Sequence, residues 1–157
     1  MIIDFKKCKT RKMKKILIAI DYDGTAAKIA KAGQALATAM NAEVVLLHVI
    51  SELPVYYSSY MFIPDFQIDV LEDLKISTQH FLDKTKKQMG DNHIETVLKE
   101  GDISDAILNT ANEMGVDVIV MGTHGRKWLD SILMGSQVEA VMKKTTIPLL
   151  VIPTKIV

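Results

Sequence analysis

The stretch Val116–Gly125, VDVIVMGTHG, decides how this chain folds. Val116 to Met121 is almost continuously apolar and rich in β-branched residues, and glycines follow it directly. A strand covered on one face alternates apolar with polar residues. A short unbroken apolar run reads instead as a strand buried on both faces, as in a parallel sheet. Three more such runs lie outward from it: Ile16–Ile20 (ILIAI), Val44–Ile50 (VVLLHVI) and Leu149–Ile152 within IPLLVI. A fifth, Thr96–Leu98 within IETVLK, is shorter and alternates, which places it near a sheet edge.

Helical spacing fills the intervals. Ala26, Ile29, Ala30, Gly33, Leu36, Ala37 and Met40 recur at three and four and form one apolar stripe. Phe66, Val70, Leu74, Phe81, Leu82 and Met89 mark a longer second helix. Ile107, Leu108, Ala111 and Met114 mark a third, with Ser104 as the expected N-cap and Gly115 just past its end. Ser136 and Glu139 have the spacing of a capping box and start a fourth, on which Val138, Val141 and Met142 should face inward. Thr145 to Pro148 ends that helix. The alternation predicts a single-domain α/β protein: a five-stranded parallel open sheet with helices on both faces and right-handed crossovers, Rossmann-like.

A length of 157 residues suits one domain, and 48% hydrophobic with 24% charged residues excludes a disordered chain. The single cysteine, Cys8, excludes a disulfide within the chain and fits a cytoplasmic protein. No apolar run approaches the roughly 20 residues of a membrane helix. Net charge is zero but unevenly placed. Residues 1–15 hold seven Lys and Arg against Asp4, so this arm carries +6 and the remainder −6. The body therefore lacks the basic footprint of a nucleic-acid binder. Residues 1–13 read as a flexible basic extension before a domain spanning 14–157. The Ile16–Ile20 run is too short for the apolar core of a signal peptide.

In open α/β sheets ligands sit beyond the carboxyl ends of the strands. The segments there are Asp21-Tyr22-Asp23-Gly24-Thr25, then Val49 and Ile50 with a Tyr-rich segment behind them, Gly101-Asp102, and Gly122-Thr123-His124-Gly125. The last opens a longer pattern: Gly122, two residues, Gly125, nine residues, Gly135, then Ser136 at a helix start. Glycine lets backbone approach a phosphate closely, and a helix N-terminus adds free N–H groups and partial positive charge. Three glycines at fixed offsets arise by chance in roughly 5% of chains this long, given ordinary glycine usage. Their position between a strand and a helix lowers that further, so the pattern reads as a phosphate cradle. It is neither a Walker loop nor G-x-G-x-x-G. Arg126 and Lys127 either neutralise phosphate charge from that loop or are simply solvated.

These segments resemble the universal stress protein family, in its ATP-binding branch. The resemblance rests on Lys14–Asp21 (KKILIAID), Glu43–Ile50 (EVVLLHVI), Gly101-Asp102, Val116–Gly125, Gly135-Ser136 and Ile147–Pro153 (IPLLVIP). It spans nearly the whole chain from residue 14, and the family's G-2x-G-9x-G-[S/T] pattern is matched without a gap. It implies a sheet order of 3-2-1-4-5. It also implies ATP held with Gly122, Gly125, Gly135 and Ser136 at phosphates and ribose, Asp21 against the nucleoside, and the Val49 backbone at the adenine edge. Ala19, Met121, Arg126 and Gln137 complete the candidate nucleotide-binding set. It further implies a homodimer paired through Pro148–Pro153, a regulatory role in stress response toward a protein partner, and little or no hydrolysis. Ligand occupancy would order residues 126–134 and shift a partner surface.

One departure from the family pattern is Asp23-Gly24-Thr25, where a serine is common. A second carboxylate near a phosphate site repels it unless a cation such as Mg²⁺ intervenes, or unless Asp23 faces solvent or caps the following helix. The same D-x-D-G-T resembles the first motif of haloacid-dehalogenase-type phosphatases, with Asp21 as nucleophile, Asp23 as general acid and Gly101–Asp105 as a metal-binding motif. The glycine spacing is unexplained on that reading. A third reading is a dimeric interaction module of the same fold without a nucleotide. No residue is singled out as catalytic, and no Cys/His cluster has metal-site spacing. His48 reads as a satisfied core histidine, and His80 and His93 as surface residues.

Overall fold

A computed structural model of the chain describes residues 14–51, 64–123 and 136–154. In chain order its elements are β1 (Lys15–Ala19), α1 (Ala26–Met40), β2 (Glu43–Ile50), α2 (Pro64–Met89), β3 (Glu95–Glu100), α3 (Ile103–Glu113), β4 (Val118–Thr123), α4 (Ser136–Lys144) and β5 (Leu149–Pro153). All pairings are parallel and the strand order is β3-β2-β1-β4-β5, as the resemblance implied. The basic arm and the Tyr-rich segment lie outside the described residues.

The period-2 alternation of each strand divides the core between two faces. Ile16, Ile18 and Ile20 of the first strand region, with Leu46 and Val120, pack against Ile29 and Ala37 of α1 and Leu82 of α2. Leu17, Val45, Leu47 and Ile119 pack on the other face against Ile107 and Ala111 of α3 and Val138 and Val141 of α4. Both faces are covered, which is why the central strands read as unbroken apolar runs. β3 is only half-buried and sits at an edge, as its weaker pattern predicts. Gly33 is required by packing: a Cβ there would lie 2.5 Å from Ile18 Cδ1.

Four local expectations are corrected. β4 begins at Val118, not Val116, and runs on through Gly122 and Thr123, which pair with Ile152 and Pro153. Val116 and Asp117 instead lead into the strand, with the Asp117 carboxylate on the amides of Lys14 and Lys15. The N-cap of α3 is Asp102, whose Oδ1 accepts the Asp105 amide at 2.9 Å, while Ser104 is buried and donates to that same oxygen. The capping box at α4 does not close: Glu139 Oε1 accepts from Lys143 Nζ at 2.7 Å rather than reaching back. Met142 turns outward, 45% exposed, because it lies next to Val141 and off the buried stripe of Val138 and Val141. No helix among the described residues is long and apolar enough to cross a membrane.

Candidate functional site

The carboxyl ends of β1, β2 and β3 border two adjoining clefts. After β1 the chain turns sharply into α1. The Asp23 amide donates to the Asp21 carbonyl at 2.9 Å, and Asp23 Oδ1 accepts both the amide and the hydroxyl of Thr25 at 2.7 Å. This is an Asx-type turn that feeds the helix. Thr25 is the N-cap of α1 and makes no side-chain capping bond, so Asp23 braces the turn before the helix rather than capping it, and the half-buried Asp21 borders the cleft.

The first cleft, about 260 Å³, is lined by Asp21, Tyr22, His48, Val49, Ile50, Ser51, Leu74, Thr78 and Ile103. The second, about 280 Å³, is lined by Ser51, Gly101, Asp102, Ile103 and Gln137. Ser51 and Ile103 belong to both, so the two form one groove from the end of β1 to the first turn of α4. Each compartment alone is at the small end for a ligand site.

Main-chain geometry adds to the first cleft. The β1–β2 register ends at Ala19↔Leu47, and the Ile20 amide still reaches the Leu47 carbonyl at 2.9 Å. Val49, two residues further, directs its backbone groups to the same side, beyond the end of β1. The carbonyl of Ile20 is taken by His48 Nδ1 at 2.7 Å. His48 is thus a satisfied, buried histidine, and its ring also borders Phe81 edge-on at 6.4 Å. His80 and His93 are exposed.

Of the candidate set, Asp21, Val49 and Gln137 are brought to the groove. Ala19 and Met121 line neither cleft. Ala19 is half-buried against the α3–α4 core, and Met121, 5% exposed, is part of it. Ser136 is exposed at the start of α4. Gly122 lies inside β4, and a Cβ there would clash with Ile29 Cδ1 and lie 2.8 Å from Thr154 Cγ2. A side chain at this first position of the pattern would therefore force Ile29 and Thr154 to shift. Gly125, Arg126 and Gly135 lie outside the described residues, as do His124, Lys127 and Met134.

Sequence reasoning missed Ser51, Ile103, Leu74 and Thr78 as lining residues. Their only signal was position just past a strand or along the inward stripe of α2, and neither distinguishes a cleft wall from core. Thr78 is fully buried and donates to the Leu74 carbonyl at 2.7 Å, which holds that wall in place.

The described lining carries carboxylates and no Lys or Arg. The Asp102 carboxyl is held below its ordinary range, first by the Asp105 amide, then by the Ser104 hydroxyl, with Lys144 adding to it. Lys144 is in turn raised by Asp105, to which it donates at 2.7 Å, tying α4 to α3. Carboxylates suit ligand N–H and O–H groups and repel phosphate. The described groove therefore suits an uncharged group bearing N–H and O–H donors better than an anion. Among the described residues no three His, Cys, Asp or Glu come together to hold a metal ion. With Asp23 engaged by Thr25, a Mg²⁺ ion would need ligand phosphate oxygens to complete its shell.

The architecture is that of an open, doubly wound α/β protein with a groove at the carboxyl end of the sheet. The chain belongs to the universal stress protein family, whose profile matches residues 12–153. It is similar to Universal stress protein MJ0577 of Methanocaldococcus jannaschii, 30% identical over 155 residues that cover 90% of this chain and 96% of that one. It is also similar to Universal stress protein YxiE of Bacillus subtilis, 32% identical over 144 residues, 88% of this chain and 97% of the other. The solved structure of MJ0577 superposes with a TM-score of 0.75 at 32% identity, covering 94% of this chain and 100% of that one. A universal stress protein crystallised in complex with cAMP shares the fold, with a TM-score of 0.62 at 18% identity, covering 92% and 100% of the two chains.

Proposed function

We propose that this chain is an ATP-binding member of the family and acts as a nucleotide-dependent regulatory protein rather than an enzyme. The observation that carries the reading is the meeting of the Asp21 carboxylate and the Val49 backbone in one cleft, whose groove leads to the first turn of α4. Asp21 accepts from the nucleoside, and Val49 offers an N–H donor and a C=O acceptor to the edge of the base. The polyphosphate meets Gly125, Gly135 and the α4 N-terminus, with Arg126 beside it and Mg²⁺ as an optional companion of the phosphates. Residues 14–157 form the binding domain, 1–13 a basic extension. A cytoplasmic homodimer pairs through the Pro148–Pro153 edge, where β5 is the last strand of the sheet.

The phosphatase reading is the less favoured one: it leaves the glycine spacing unexplained, and Asp23 bonds within its own turn while Asp102 caps α3 and Asp105 pairs with Lys144.

Mass spectrometry of small molecules released from freshly purified, denatured protein is expected to find an adenine nucleotide. Gly135→Val is expected to remove ATP binding in calorimetry while the fold persists by circular dichroism. Undiminished binding in that variant overturns the proposed phosphate site.

A further inference from the structure

One wall of the first cleft has no part in the reading above. Tyr22 follows Asp21 directly, lines the cleft and is 56% exposed. A large aromatic side chain so exposed is ordinarily loose, yet this ring is held. It lies on Phe81 of α2 with centroids 4.6 Å apart and planes 33° apart. Phe81 is met edge-on by His48, and His48 is fixed by its bond to the Ile20 carbonyl. Three rings thus run from the core to the cleft mouth, the outermost tilted on Phe81 and still more than half exposed.

We propose that Tyr22 is the stacking platform for the base of the bound ligand. The inference rests on the nucleotide reading and sharpens it. Asp21 and Val49 engage the edge of a planar heterocycle, and Tyr22 covers its face. A ring already immobilised by Phe81 loses little side-chain freedom on binding, so stacking is favoured from the start. Stacking strength follows the size of the π-face, so the site prefers purine over pyrimidine nucleotides. Neither the glycine pattern nor the family resemblance assigns this position a role.

The test is calorimetry with ATP, CTP and inorganic tripolyphosphate on the full chain, as wild type, Tyr22→Phe and Tyr22→Ala. In wild type ATP is expected to bind more tightly than CTP. Tyr22→Ala should weaken ATP about tenfold and bring ATP and CTP within about twofold of each other, while tripolyphosphate is unaffected. Tyr22→Phe keeps the ring and should behave as wild type. If Tyr22→Ala binds ATP as tightly as wild type, or keeps the full preference for ATP over CTP, the platform is refuted and the nucleotide reading stands. If wild type binds neither nucleotide, the nucleotide reading itself fails and this inference goes with it.

Discussion

At the amino end of the sheet Asp117 Oδ2 accepts the amides of Lys14 and Lys15 at 2.7 and 3.1 Å, whereas at the carboxyl end the carboxylate of Asp21 borders a cleft. The amino end is closed throughout. The Glu43 amide reaches the Lys14 carbonyl at 2.7 Å and the Asp117 amide reaches that of Lys15 at 2.9 Å, so the entries to β2 and β4 are laced to β1. Two of the four helices that feed this end stop abruptly. Asn41, at φ 51°, and Gly115, at φ 63°, end α1 and α3, and the next amides bond back to Ala37 and Ala111 at 2.9 Å. At the carboxyl end, in contrast, β1 stops two residues short of Val49, and Asp23, Asp102 and Ser104 form side-chain bonds within the turns that follow β1 and β3. One end laces the strand entries together; the other borders a groove. Changes at the amino end should therefore alter stability without altering binding, and changes at the groove the reverse.

Gly122 is the position that most strains this division. It belongs to the glycine pattern by spacing, yet its missing Cβ leaves room for Ile29 and Thr154. Gly122→Ala should overpack that contact and destabilise the fold by about 2 kcal/mol in urea denaturation. Pairing it with Ile29→Val, which removes the clashing methyl, should restore most of the loss. Recovery of both stability and ATP affinity in the double variant assigns Gly122 to packing. A stable Gly122→Ala that fails to bind ATP assigns it to the ligand, and the division between the two ends is then drawn in the wrong place.

That ambiguity shows what the sequence discloses. Three of the four unbroken apolar runs and the stripe of α1 report burial directly, so strand number, parallel pairing and the edge position of β3 are legible, whereas Leu149–Ile152 reads as a doubly covered strand and is instead a half-buried edge. Sheet order is not in those patterns; it came with the family resemblance. Local caps were less legible, because Asp102 and Ser104 are both good N-cap residues and only geometry shows that one caps while the other braces it. The site was half legible. Asp21 and Val49 sit where strand ends meet a cleft, a consequence of topology. Ala19 and Met121 were placed by adjacency to the pattern, but alternation along each strand turned them toward the α3–α4 core. Tyr22 has no signal in its own neighbourhood, since its partner Phe81 is distant in sequence and meets it only through packing.

Asp117→Ala tests the closed end. Removing the carboxylate leaves the half-buried amide of Lys15 and the exposed one of Lys14 without their partner. The loss should be about 1–2 kcal/mol, since water replaces part of it. ATP affinity, measured well below the midpoint of unfolding, should not change. A fall in affinity as large as the fall in stability would mean that the two ends are coupled through β1, and the separation drawn here would not hold.

The smallest effect is expected at Asp102, where a cap stands beside the second cleft. Its carboxyl is depressed below the ordinary aspartate value of 3.8 by the Asp105 amide first and the Ser104 hydroxyl next. A group depressed on folding contributes stability above its unfolded value, and that contribution fades as the pH falls through the folded one. Asp102→Asn keeps an acceptor oxygen for the cap but removes the charge. The wild type should therefore be the more stable protein at neutral pH, and the urea midpoints of the two should converge as the pH drops below about 3.8. A gap that stays constant across that range would show that Asp102 acts by shape and hydrogen bonding alone. Its charge would then be free to face a ligand in the cleft it shares with Gln137.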